Sequence, residues 1–147
     1  MKYTFATTVF FVSGLVLLNA GEEKSDLERM QGNWLVASLT EEGKSVPAAD
    51  IEILEVIIEK DAFTVTEKGK PVVKYQMKLD PTKKPKEADF TYLAGDDKGK
   101  TEPGIYTFDK DRLKLVLDEK KKGRPVGFEG KETATYSVLV LKKKETK

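Results

Sequence analysis

A chain of 147 residues with 26 basic and 25 acidic side chains, 39% hydrophobic residues and neither cysteine nor histidine is one domain's length and can bury a core without covalent staples. The missing residue types exclude disulfides, a lipid-modified N-terminal cysteine, Ser-His and Cys-His nucleophile pairs, an imidazole base and an ordinary zinc site. A formal charge of +1 argues against a dedicated nucleic-acid or membrane-surface binder.

The chain opens with the pattern of an export signal. Lys2 supplies a positive start, Val9 to Leu18 form an apolar run broken only by Ser13 and Gly14, and Asn19-Ala20-Gly21 precedes the charged Glu22-Glu23-Lys24. Residues 1–20 therefore read as a secretory signal, cut after Ala20 or Gly21. The competing reading is an uncleaved anchor, although the apolar stretch is short for a span of about 20 residues. A cut after Ala20 removes one lysine and no acid, leaving 25 basic and 25 acidic residues in a domain of residues 21–147. The expectation is an exported protein, periplasmic, cell-surface or secreted, that meets a membrane only if the N-terminal segment stays in place. Core burial and sheet hydrogen bonds must then hold it together.

A short helix precedes the first strand. Ser25 followed by Glu28 has the form of a capping box, Leu27 and Met30 give an apolar side, and Gly32 ends the helix. From Asn33 the apolar spacing changes to period two, with Trp34 and Val36 opposite Leu35, Ala37 and Leu39, until Glu41-Glu42-Gly43-Lys44 turns the chain. Glu55 to Glu59 and Ala62 to Glu67 form a hairpin about Lys60-Asp61. In the next run Val73, Tyr75, Met77 and Leu79 share a face opposite Lys74, Gln76 and Lys78. Asp80-Pro81 stops it, because proline lacks the ladder donor. Ala88 to Ala94 resumes with Phe90 and Tyr92 on one face, and Gly95 to Gly99 is a polar loop. Ile105 to Phe108 and Arg112 to Leu117 pair around Asp109-Lys110-Asp111, with Leu113, Leu115 and Leu117 aligned. After a lysine-rich loop, Thr135 to Lys143 closes the set. About eight short strands predict a mainly β protein, an antiparallel barrel with a short N-terminal helix.

Leu27 with Gln31-Gly32-x-Trp34-x-Val36, Gly43-Lys44, Leu79-Asp80-Pro81-x-Lys83-Lys84-Pro85-Lys86, Gly104-Ile105-Tyr106, Leu113-Lys114-Leu115, Arg124-Pro125-x-x-Phe128 and Val138 to Lys142 follow one another in an order that resembles a lipocalin-like domain family of unknown function abundant in planctomycete bacteria. The resemblance covers nearly all of residues 21–147. It implies an exported or surface-associated lipocalin-like (calycin-like) barrel and carries no catalytic residues to transfer. In the wider lipocalins, the Gly-x-Trp element packs its Trp across the closed end of the barrel against a basic residue near the last strand. Gly32 and Trp34 match that element as structural residues. Lys142 or Lys143 would supply the cation, where lipocalins use arginine.

Other short motifs read as turns or solvated loops. Asp109-x-Asp111 and Asp96-Asp97 lack the twelve-residue calcium pattern. Gly43-Lys44-Ser45 and Gly99-Lys100-Thr101 lack the earlier glycine of a phosphate loop. Glycine followed by a basic residue, here and at Gly69-Lys70 and Gly123-Arg124, fits turns with positive φ. Lysines 83, 84 and 86, 120–122 and 142–144 suit wet loops and protected strand ends. Arg124 could clamp a carboxylate, an intrachain one before a ligand's.

The expectation is a non-enzymatic module with no catalytic, metal or cofactor residues, working as a monomer. Two functions stay open. Phe63, Tyr75, Phe90, Tyr92 and Tyr106 are candidates to line a cavity for one small apolar ligand, as an eight-stranded barrel permits. Alternatively those side chains fill the barrel, and its loops serve a protein-interaction or inhibitor module.

Overall fold

The computed structural model describes residues 24–147, so the expected signal, residues 1–20, lies outside the described residues. Helix α1 (Asp26–Met30) starts where the capping box predicts. The Glu28 amide donates to Ser25 Oγ at 3.2 Å and the Ser25 amide donates to Glu28 Oε2 at 2.9 Å, which satisfies amides that a free helix end would leave unpaired.

Nine strands follow: β1 (Gly32–Glu41), β2 (Lys44–Ser45), β3 (Leu54–Glu59), β4 (Ala62–Glu67), β5 (Lys70–Asp80), β6 (Lys86–Tyr92), β7 (Thr101–Asp109), β8 (Arg112–Leu117) and β9 (Ser137–Lys143). Each strand from β3 to β8 pairs antiparallel with the next, and β1 pairs with both β3 and β9. This closes an eight-stranded up-and-down barrel without free edges. The two-residue β2 hangs from the end of β1. Its turn, Glu42-Gly43, has both residues at positive φ, the mirror-image geometry that matches strand twist.

The predicted alternation places the core. Val73, Tyr75, Met77 and Leu79 on β5, Phe90 and Tyr92 on β6, and Leu113, Leu115 and Leu117 on β8 all face the interior cluster. One expectation needs correction. The spacing sets Leu39 opposite Trp34, yet Leu39 packs against the same core. A bulge between Val36 and Ser38 inserts one residue, which reverses side-chain parity beyond it.

Strand β7 begins at Thr101 rather than Ile105. Pro103 and Gly104 read as breakers in sequence, but the pairing tolerates both. Gly104 lies between Ala88 and Leu117, where an added Cβ would sit 2.7 Å from Leu117 Cδ2 and 2.8 Å from the Val116 carbonyl. Glycine is demanded by this close approach rather than by a turn.

The two barrel ends differ. Helix α1 covers one end, and helix α2 (Ala48–Ile51), which the spacing did not reveal, crosses the other and buries Ile51. Residues 118–136 wrap the outer face of β6 to β8, where Pro125 and Gly127 are buried with Ile105 and Val116 beneath the segment. Buried Asp118 organises the turn by accepting the amides of Lys122 at 2.9 Å and Gly123 at 2.6 Å. Arg124 donates to the Gly104 carbonyl at 2.9 Å and pairs with Asp89 at 2.8 Å and Glu87 at 3.5 Å. The clamp expected of Arg124 is thus made within the chain.

Candidate functional site

The α1 end is a closed set of satisfied groups. Trp34, 2% exposed, donates its indole N–H to the Met30 carbonyl at 2.8 Å, and Lys143 places its ammonium 4.5 Å from the indole centroid. Of the two lysines named in sequence, Lys143 is the partner, because Lys142 falls on the outward parity of β9. The Lys143 ammonium also donates to the carbonyls of Arg29 and Gln31, and burial lowers its pKa. Arg29 stacks on Phe108 at 3.9 Å. Asp26 accepts from Lys86 Nζ at 2.7 Å and from Tyr106 Oη at 2.8 Å.

These partners act as a pH-dependent latch on α1. Burial opposes ionisation of Asp26, yet the bonds from Lys86 and Tyr106 and the nearby Arg29 charge hold its carboxyl below the usual range. A depressed folded-state pKa gives stability that is present above the ordinary carboxylate range and lost as pH falls through the folded value. Asp26→Asn is expected to cost about 1–3 kcal/mol at pH 7. It should also flatten the loss of stability on acidification, which urea unfolding at pH 7 and in acid measures.

The candidate interior residues divide between the two ends. Phe63, Tyr75 and Phe90 pack edge to face, with centroids 5.2 Å apart for Phe63–Phe90, 5.8 Å for Tyr75–Phe90 and 6.2 Å for Phe63–Tyr75. All three are buried, with Met77 beside them on β5. Tyr106 belongs to the α1 end, 6.0 Å from Phe108. Tyr92 stands at the other mouth, tilted on Tyr75 with centroids 4.6 Å apart. Phe63, Tyr75, Phe90 and Tyr92 thus contact one another in the interior, while Tyr106 meets Phe108.

At the α2 end the chemistry is incomplete. Glu102, 7% exposed, points inward from β7 on the parity of Gly104 and Tyr106. It accepts a hydrogen bond from Tyr92 Oη through Oε1, while its buried Oε2 has no partner among the described residues. An unpaired buried carboxylate oxygen is costly. Burial pushes the Glu102 carboxyl up; the Tyr92 bond opposes this, and Glu119, Asp97 and Asp118 reinforce it. Burial and the Glu102 contact push the Tyr92 hydroxyl up to about 12.

Glu102 and Tyr92 line a recess of about 100 Å³ with Asp97, Lys100, Thr101, Glu119 and Lys121. That is several waters' worth of space and well short of the roughly 300–1,000 Å³ of small-molecule pockets. Through Glu119 the recess adjoins a groove of about 380 Å³ bordered by Glu41, Glu42, Lys44, Pro47 and Tyr136. Through Tyr92 and Asp97 it adjoins another of about 250 Å³ containing half-exposed Val72. The three share lining residues around one mouth, which carries six acidic side chains and five lysines.

No family model, curated protein or solved structure matches the chain.

Other motifs are absorbed elsewhere. Gly43-Lys44-Ser45 is a hairpin turn and Gly99-Lys100-Thr101 leads into β7, so neither opens a helix as a phosphate loop does. The lysine clusters are partly spent within the chain, in the pairs Lys86–Asp26, Lys120–Glu42 and Lys144–Glu55. Sequence reading missed Glu102, because Glu-Pro-Gly reads as a loop. Once β7 is seen to begin at Thr101, period two from Tyr106 through Gly104 puts Glu102 inside the barrel.

Proposed function

We propose that this chain is a non-enzymatic β-barrel binding module whose filled interior serves as scaffold and whose α2-end loops engage a protein partner. The observation that carries this reading is the mutual packing of Phe63, Tyr75 and Phe90, which supports a filled interior and points to surface grooves, of which those around the mouth adjoin one another. Loops on a rigid scaffold are where recognition commonly resides. The export pattern of residues 1–20 supports a role outside the cytoplasm, and the absence of histidine and cysteine supports binding over catalysis.

Site-specific photocrosslinking in the producing cell tests this. A photoreactive residue at Glu42, in the α2-end groove, is expected to give a discrete adduct with one partner protein. The same residue at Glu59, at the α1 end of β3, should give none. Absence of an adduct from Glu42, or equal labelling from both positions, overturns the proposal.

A further inference from the structure

We infer that the recess at Glu102 is a socket for a primary ammonium group, through which the proposed partner inserts a lysine side chain or its N-terminal amine. The inference rests on the binding-module reading above and deepens it.

Glu102 is more than nine-tenths buried and Oε2 has no hydrogen-bond donor among the described residues, although a buried carboxylate ordinarily acquires one. Both lysines that line the recess are otherwise placed. Lys100 is held by Asp97 at 2.6 Å, and Lys121 sits exposed on a left-handed turn with no ion pair to Glu102 among the described residues. None of the described side chains around the recess therefore supplies a donor to Oε2.

The surroundings select its chemistry. Tyr92 lies against Glu102 and Tyr75 stacks on Tyr92, so aromatic surface adjoins the carboxylate. A carboxylate beside aromatic rings is the pairing that holds alkylammonium groups. Glu102, Asp97 and Glu119 against Lys100 and Lys121 leave the recess lining with a formal charge of −1, three acids less two lysines. A volume of about 100 Å³ admits an ammonium head on a narrow stem, and a single open carboxylate oxygen suits a compact point charge better than a planar guanidinium, whose fork matches two acceptors. A hard divalent cation is less suited, since it takes six or more oxygens and no three acidic side chains among the described residues converge on a metal position.

The probe is methylammonium chloride, titrated into the folded protein and followed by amide chemical shifts, with guanidinium chloride and calcium chloride at matched ionic strength as comparisons. Saturable shifts at Thr101, Glu102 and Tyr92 are expected with methylammonium. Binding should weaken about ten-fold or more in Glu102→Gln, the loss expected for one charge-assisted contact. Glu102→Gln keeps an oxygen to accept from Tyr92, and an unchanged spectrum elsewhere in the barrel establishes that it folds. Tyr92→Phe gives an independent variant that removes the neighbouring hydroxyl and keeps the ring, and it should retain saturable binding. Non-saturable shifts, equal binding by Glu102→Gln, or stronger binding of calcium or guanidinium overturn the socket. If the socket fails while the Glu42 crosslink persists, the module reading stands and the ammonium assignment falls. Loss of the crosslink removes the module reading itself.

Discussion

Trp34→Ala is expected to destabilise the protein by about 3–5 kcal/mol, the range for truncating a large aromatic in a core. The expectation comes from three simultaneous losses. The indole is 2% exposed, its N–H satisfies the Met30 carbonyl at the end of α1, and its ring carries the Lys143 ammonium at 4.5 Å. Removing it leaves a cavity, an unpaired carbonyl and a cation whose remaining partners are the Arg29 and Gln31 carbonyls. Gln31 also bonds the Lys60 amide at 2.7 Å and its carbonyl at 2.9 Å. The damage should therefore spread from α1 to the β3–β4 turn. Denaturant unfolding gives the number, and amide exchange at Lys60 reports the spread. A loss below about 1 kcal/mol accompanied by loss of partner binding would make Trp34 a contact residue instead.

Phe90→Ala should cost a similar amount, about 3–5 kcal/mol. Phe90, on β6, is fully buried and contacts both Phe63 on β4 and Tyr75 on β5 edge to face, so its ring completes an aromatic cluster spanning three neighbouring strands. The magnitude separates the two functional classes. In a ligand-carrying barrel, Phe90 would border empty or exchangeable space and its loss would be cheap. In a filled barrel the full transfer and cavity terms apply. The variant should also gain affinity for a small apolar molecule such as benzene, since an engineered apolar cavity stays dry and accepts such guests. Equilibrium urea unfolding, repeated with benzene present, measures both effects.

Much of this architecture is legible in the residues. The capping box at Ser25 and Glu28, the alternation from Val73 to Leu79 and the aligned leucines at 113, 115 and 117 all appear as strand and helix physics predicts, because local hydrogen bonding and burial point the same way there. Legibility fails where tertiary contact overrides local signals. The bulge after Val36 turns Leu39 inward, and period two cannot announce an inserted residue. Four-residue α2 is too short for a helical period to show, and what fixes it is burial of Ile51. Pro103-Gly104 looks like a turn and is a strand, since the close approach of β8 supplies the reason for glycine.

The candidate site divides the same way. Period two directed Phe63, Tyr75, Phe90, Tyr92 and Tyr106 toward the interior, where the structure places them. Spacing within a strand does not report depth along the barrel axis, so it could not separate Tyr106 at the α1 end from Tyr92 at the mouth. Glu102 was hidden among 25 acidic residues. What distinguishes it is burial without a partner for Oε2, a property of the folded state alone.

Native mass spectrometry of the mature protein, purified without detergent from the cells that make it, tests the filled-barrel account most directly. The account predicts a bare chain with no apolar adduct, at the mass set by cleavage near Ala20. A reproducible apolar ligand, retained in the native spectrum and lost on denaturation, would contradict it and make the barrel a carrier.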